Sequence, residues 1–169
     1  MSVKCTTCYM DWDDEDTDKQ DYSDVCELFV DLPIVEANKA NHNGDIYNED
    51  CVKKMAENIA QHLSGNGIIP VTMDRIEGDK QIIERIGTVC GVNVDNDGSG
   101  VVTVKARVDM NTKESLYLAE NIGRDDKHFS YDPCFYIKAE EIRANDNHTI
   151  GITDCNLRHV TICEHYSKE

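Results

Sequence analysis

Three runs rich in β-branched residues follow one another with almost no chain between them: Ile68 to Met73, Gln81 to Val94 and Val101 to Met110. The breaks are Glu77-Gly78-Asp79 and Asp95-Asn96-Asp97-Gly98-Ser99-Gly100, sequences that favour turns over regular structure. A parallel crossover needs a dozen or more residues, so strands joined this tightly run antiparallel. The second break reads as a hairpin. The same pattern returns near the C-terminus, where His128 to Ile142 and Thr149 to Cys163 flank the polar turn Ala144-Asn145-Asp146-Asn147.

Upstream, Cys26 to Ala37 is strand-like and leads into the turn chemistry of Asn41-His42-Asn43-Gly44-Asp45. Asn48 or Asp50 can cap the segment that follows. There Val52, Met55, Ile59 and Leu63 recur at helical spacing until Gly65-Asn66-Gly67 stops them. Thr112 can cap a second short helix, Lys113 to Ile122, with Leu116 and Ala119 facing inward and Gly123 closing it. The expected architecture is an α+β domain: an antiparallel curled sheet or barrel of about six strands with two flanking helices. No internal repeat is apparent.

At 169 residues the chain suits one core, which a hydrophobic content of 40% can fill. Its first part differs. Between Asp11 and Asp24 stand eight carboxylates and one lysine, without apolar periodicity, so self-repulsion favours an extended arm. The division is an acidic, extended N-terminal arm at 1–25 and a folded domain at 26–169. The arm reads as a solubilising tail, or as a tether with Trp12 or Tyr22 as its anchor. Overall, 33 Asp and Glu against 17 Lys and Arg give a formal charge of −16. Nucleic acid would meet repulsion where a binder displaces counterions with basic side chains, so direct contact with it is not expected. No apolar run approaches the ~20 residues that span a bilayer, and no apolar signal core follows the N-terminus, so neither membrane insertion nor export is expected.

Eight cysteines are many for a chain read as intracellular, and most are read as small buried hydrophobes. Cys5-Thr6-Thr7-Cys8 has the spacing of half a zinc site or a redox pair, but no second half follows. Asp95, Asp97 and Ser99-Gly100 match the opening of a calcium loop, yet Ala106 stands where a bidentate Glu is required. No metal and no cofactor are expected.

An ordered series of motifs carries more information. Asn41-x-Asn43-Gly44-Asp45-Ile46-Tyr47, Ile69-Pro70-Val71-Thr72-Met73-Asp74, Arg85-Ile86-Gly87-Thr88-Val89, Gly100 to Asp109, His128-Phe129-Ser130-Tyr131 and Leu157-Arg158-His159-Val160-Thr161 succeed one another between about Leu28 and Cys163. In order and spacing they resemble the prohead (capsid maturation) proteases of tailed bacteriophages, which share the herpesvirus-assemblin type of fold. That resemblance implies an antiparallel barrel with flanking helices. It also implies a nucleophile at Ser130 and a base-orienting group at His159. Where the family has a general-base His followed by an acid, this sequence has Met73 followed by Asp74.

A thioether cannot take a proton, and losing one member of such a unit lowers turnover by about 10⁴ to 10⁶. Asp74 is too weak a base for a serine hydroxyl if exposed, and among the histidines only His159 is placed by the sequence to help Ser130. Ser130, His159, Met73 and Asp74 are therefore read as vestigial positions of a pseudo-protease. The expected function is that of a non-catalytic auxiliary or decoration protein on a tailed-phage capsid. Its partners would be the major capsid protein and other capsid proteins, with a homo-oligomer possible, on the capsid surface of a virion assembled in the host cytoplasm. The alternative is an active maturation serine protease that uses Ser130 with an unusual base.

Overall fold

A computed structural model describes residues 27–95 and 98–165, together with the backbone of residues 3 and 4. Most of the proposed acidic arm at 1–25, including Cys5, Cys8, Trp12 and Tyr22, lies outside the described residues, as does Asp97 of the calcium-like loop.

The strands are β1 (Val3–Lys4), β2 (Glu27–Glu36), β3 (Asp45–Tyr47), β4 (Pro70–Glu77), β5 (Lys80–Val94), β6 (Val101–Asp109), β7 (His128–Tyr136), β8 (Ile142–Ala144), β9 (Ile150–Ile152) and β10 (Asn156–His165). Two helices, α1 (Glu49–Ser64) and α2 (Lys113–Asn121), complete the α+β fold. Seven strands form one curled sheet in the order β1-β2-β6-β5-β4-β10-β7, and β3-β9-β8 form a small second one. Since β1 has only two residues, six long strands carry the main sheet, as the β-branched runs suggest.

The expected hairpins form: β4 pairs with β5 and β5 with β6, both antiparallel. Two details go beyond the short-turn argument. β10 lies parallel to β4, and β3 parallel to β9, because these pairs join segments far apart in sequence where connection length imposes nothing. The long run His128 to Ile142 ends as a strand at Tyr136, and a short 3₁₀ turn at Ala139–Glu141 leads into β8. Likewise Thr153 to Cys155 separate β9 from β10.

α1 begins where its cap predicts. Asn48 Oδ1 accepts the Cys51 N–H at 2.8 Å, and the Gly65 N–H returns to the Gln61 carbonyl at the other end. Its stripe of Val52, Met55 and Ile59 is buried against the sheet. Thr112 caps α2 in the same way, accepting the Ser115 N–H. Along α2 the inward side chains are Leu118 and Ala119, with Leu116 only half-buried. The inner face of the sheet adds Leu28, Val30, Leu32, Val104, Val108, Val160 and Ile162 to this core.

Among the described residues, an ion pair buried on both sides joins β4 to α2. Arg75 of β4 grips Glu114 of α2 with two bonds, Nε to Oε2 at 2.5 Å and Nη2 to Oε1 at 2.9 Å, and its guanidinium lies 4.1 Å from the centre of the Tyr117 ring. The paired carboxylate is the main reason the guanidinium is held in its charged form.

Candidate active site

Alternation along three adjacent strands decides which side chains meet. On β10, Val160, Ile162 and Glu164 point inward, so His159, Thr161, Cys163 and His165 line the outer face. On β4 the same rule sends Met73 and Arg75 inward and Asp74 outward. Met73 is fully buried in the core. Met73, which the sequence puts at the family's general-base position without a group able to take a proton, thus faces away from Ser130, on the opposite side of the sheet. Asp74 is the β4 residue that shares the face of Ser130.

Register completes the arrangement. Ser130 of β7 lies opposite Cys163 of β10, which lies opposite Asp74 of β4. Adjacent strands are about 4.8 Å apart, so two strand spacings separate Asp74 from Ser130 and put a direct hydrogen bond out of reach. Asp74 is instead held by Gln81, whose Nε2 donates to both carboxylate oxygens at 3.0 and 3.2 Å.

His159 lies opposite Cys134, four residues along β10 from the Ser130 partner, or roughly 13 Å at the usual strand rise. Its Nδ1 is buried without a hydrogen-bond partner among the described residues. The Ser130–His159 dyad considered from the sequence does not form.

A different imidazole does reach the serine. Ser130 Oγ and His165 Nε2 are 2.6 Å apart. The sequence points to His159 and not to His165, but β10 runs two residues beyond Cys163, and Thr161, Cys163 and His165 alternate onto one face. That alternation was the available signal. With Nε2 unprotonated, the hydroxyl donates to it, the arrangement in which a histidine can take the serine proton.

Two further groups surround the pair. The Cys163 thiol donates to Asp132 Oδ2 at 3.4 Å. Burial first, and then this carboxylate acceptor, push the thiol up to about 12, so Cys163 is a neutral neighbour and not a competing nucleophile. Asp132 shares the outer face with Ser130, two residues along β7.

Among the described residues β7 is the last strand of the sheet, and no described strand pairs with its outer edge in that sheet. Beside it a groove of about 630 Å³ opens between residues 131–137 and the segment 34–47. Tyr47 and Phe135, with ring centres 5.5 Å apart, form part of its wall. The described residues contain no group of three or more His, Cys, Asp or Glu arranged to hold a metal ion.

No protein-family model and no curated protein matches the sequence. Among solved structures, the capsid assembly protease gp21 of bacteriophage T4 is similar, with a TM-score of 0.53 and 12% identity over 83% of each chain. The chain has a prohead-protease-like fold. At that identity the likeness concerns the path of the backbone, and it agrees with the resemblance carried by the ordered sequence motifs. What the side chains of the capsid-protease fold do here follows from the geometry of Ser130, His165, Cys163 and Asp132.

Proposed function

We propose that this protein is a serine peptidase acting in the assembly of a tailed-phage capsid, with Ser130 as nucleophile and His165 as its base. The observation that carries this reading is the 2.6 Å contact between Ser130 Oγ and His165 Nε2. The fold shared with a capsid assembly protease and the groove along β7 support it. In the proposed reaction Ser130 Oγ attacks a peptide carbonyl carbon while its proton passes to His165 Nε2. The imidazolium returns that proton to the departing amine, and water then hydrolyses the acyl-serine ester. Negative charge on Asp132 and Asp74, both on this face, favours the transient positive charge on the imidazole.

A fluorophosphonate probe tests the assignment. Ser130 should be labelled, labelling should vanish in Ser130→Ala, and its rate should fall about 100-fold or more in His165→Ala, the range for loss of a general base. His159→Ala should retain it. An unlabelled Ser130, or a rate indifferent to His165→Ala, refutes the dyad.

The second reading is a non-catalytic auxiliary protein that binds the major capsid protein on the virion surface, as a monomer or homo-oligomer. It is favoured by the burial of Met73 in the core, since the family's general-base position is then filled by a side chain that takes no proton. A shell protein stabilises by binding the assembled lattice better than free subunits, without chemistry. Retention of the full-length chain at high copy in mature particles, with Ser130 unlabelled, would select this reading.

A further inference from the structure

His165 stands at a weakly held corner of the sheet. Pairing of β10 with β4 runs from Val160 opposite Val71 to Cys163 opposite Asp74, while its pairing with β7 continues to His165 opposite His128. Among the described residues, the last two of β10 are therefore paired along one edge, and strand ends of this kind open at little cost in free energy. Yet the contact with Ser130 is 2.6 Å, and a displacement of about 1 Å takes it out of hydrogen-bond range.

The neighbouring residue makes up for the missing ladder. Glu164 points inward, opposite to His165, and its side chain is 2% exposed. Its Oε1 accepts the Tyr117 hydroxyl of α2 at 2.9 Å and the Lys127 ammonium at 3.3 Å, and Lys127 Nζ also reaches the Tyr117 hydroxyl at 3.5 Å. Oε2 is buried with no partner among the described residues, so the carboxylate is held through one oxygen. Both donors are themselves fixed. The Tyr117 ring lies under the Arg75 guanidinium, and Lys127 directly precedes β7, the strand that carries Ser130. Burial first, and then Glu164, hold the Tyr117 hydroxyl in its protonated, donating form, and Glu164 above all keeps Lys127 charged. Charge-assisted bonds of this kind are directional as well as strong.

We propose that Glu164 is a positioning residue for His165, tying the end of β10 to α2 through Tyr117 and Lys127 so that the imidazole stays against Ser130. The catalytic meaning of this anchor rests on the peptidase reading. Adjacent strand residues share one planar peptide and project to opposite faces, so a side chain locked inside fixes the backbone from which its neighbour reaches out. Glu164 acts through that backbone, on the face away from the serine.

Saturation kinetics with the fluorophosphonate separate the maximal labelling rate, kinact, from the half-saturating probe concentration, KI. Glu164→Ala should lower kinact for Ser130 by about 10- to 100-fold with KI within about twofold, since a misplaced base slows proton transfer without closing the probe's site. Tyr117→Phe removes one hydroxyl and keeps the ring under Arg75. It should lower kinact about 3- to 10-fold, and it carries the test if Glu164→Ala does not fold. Asn48→Ala weakens the cap of α1, on another element, and should label at the unaltered rate, which controls for general loss of stability. Independently of labelling, the backbone amide order parameter of His165 should fall from about 0.85 toward about 0.6 in either variant, while that of Val160 holds. A kinact within about twofold of the unaltered chain in both variants, a loss seen only in KI, an equal loss in Asn48→Ala, or an unchanged His165 order parameter overturns the proposal. An unlabelled Ser130 in the unaltered chain together with a falling order parameter supports the anchor and removes the peptidase reading, so the two failures are told apart.

Discussion

Replacing Glu114 by glutamine removes one charge from the core and keeps the shape. Arg75 and Glu114 are only 6% and 2% exposed, so neither can turn to solvent without moving α2 or β4. A buried charge stripped of its partner costs about 3–5 kcal/mol, against a total stability of about 5–15 kcal/mol for a domain. The lower end is expected here. The guanidinium keeps a 3.0 Å bond to Glu77, a half-exposed carboxylate, and its contact with Tyr117. At 2–4 °C per kcal/mol for a domain of this size, the melting temperature should fall by about 6–12 °C. Arg75→Met should cost a similar amount by stranding Glu114.

The double variant Arg75→Met/Glu114→Leu should lie within about 1–2 kcal/mol of the unaltered protein, because apolar replacement of a whole buried pair is often neutral. Urea unfolding of the four proteins gives the coupling energy directly. A Glu114→Gln loss under about 1 kcal/mol, or a double variant whose loss equals the sum of the two singles, would refute this account of how α2 is held.

Gly87→Ala should cost about 3 kcal/mol or more, since a Cβ there would sit 2.1 Å from the Arg107 carbonyl oxygen and 2.9 Å from Val108 Cα on the paired strand. Gly91→Ala, whose nearest neighbour would be Lys105 Cβ at 3.7 Å, should stay within about 0.5 kcal/mol, and urea midpoints compare the two. Asn48→Ala should lose about 1 kcal/mol, read by thermal melting, as the Cys51 N–H loses its acceptor. Stability should also fall in alkali. Cys163 and Tyr131 are both pushed up to about 12, so their neutral forms stabilise the fold. That contribution is complete below the unfolded values of about 8.5 and 10, and is lost as pH rises toward 12. Urea midpoints at about pH 7, 9.5 and 11 should decline in that order, with a smaller decline in Asp132→Asn because the thiol then loses the acceptor that favours its neutral form.

Local chemistry was legible in the amino-acid order. Asn48, the spacing of Val52, Met55 and Ile59, and Gly65 delimit α1 because a cap, a stripe and a stop act within a few residues of one another. The hairpins joining β4, β5 and β6 were legible for the same reason: a short polar break leaves antiparallel return as the available path. Ser130 stood out through the motif around it, and its place on a strand could be read from its neighbours.

Which imidazole meets that serine was decided elsewhere. Alternation divides Met73 from Asp74 and His159 from Glu164 by face, but it does not say which face is buried, and one step of register exchanges the two. The parallel pairing of β10 with β4, and the antiparallel register that sets Cys163 opposite Ser130, join residues separated by most of the domain. Those pairings are selected by packing Val71, Met73, Val160 and Ile162 into one core, a cooperative choice no local segment encodes. Only after it is made does His165 come within 2.6 Å of Ser130, while Met73 turns away.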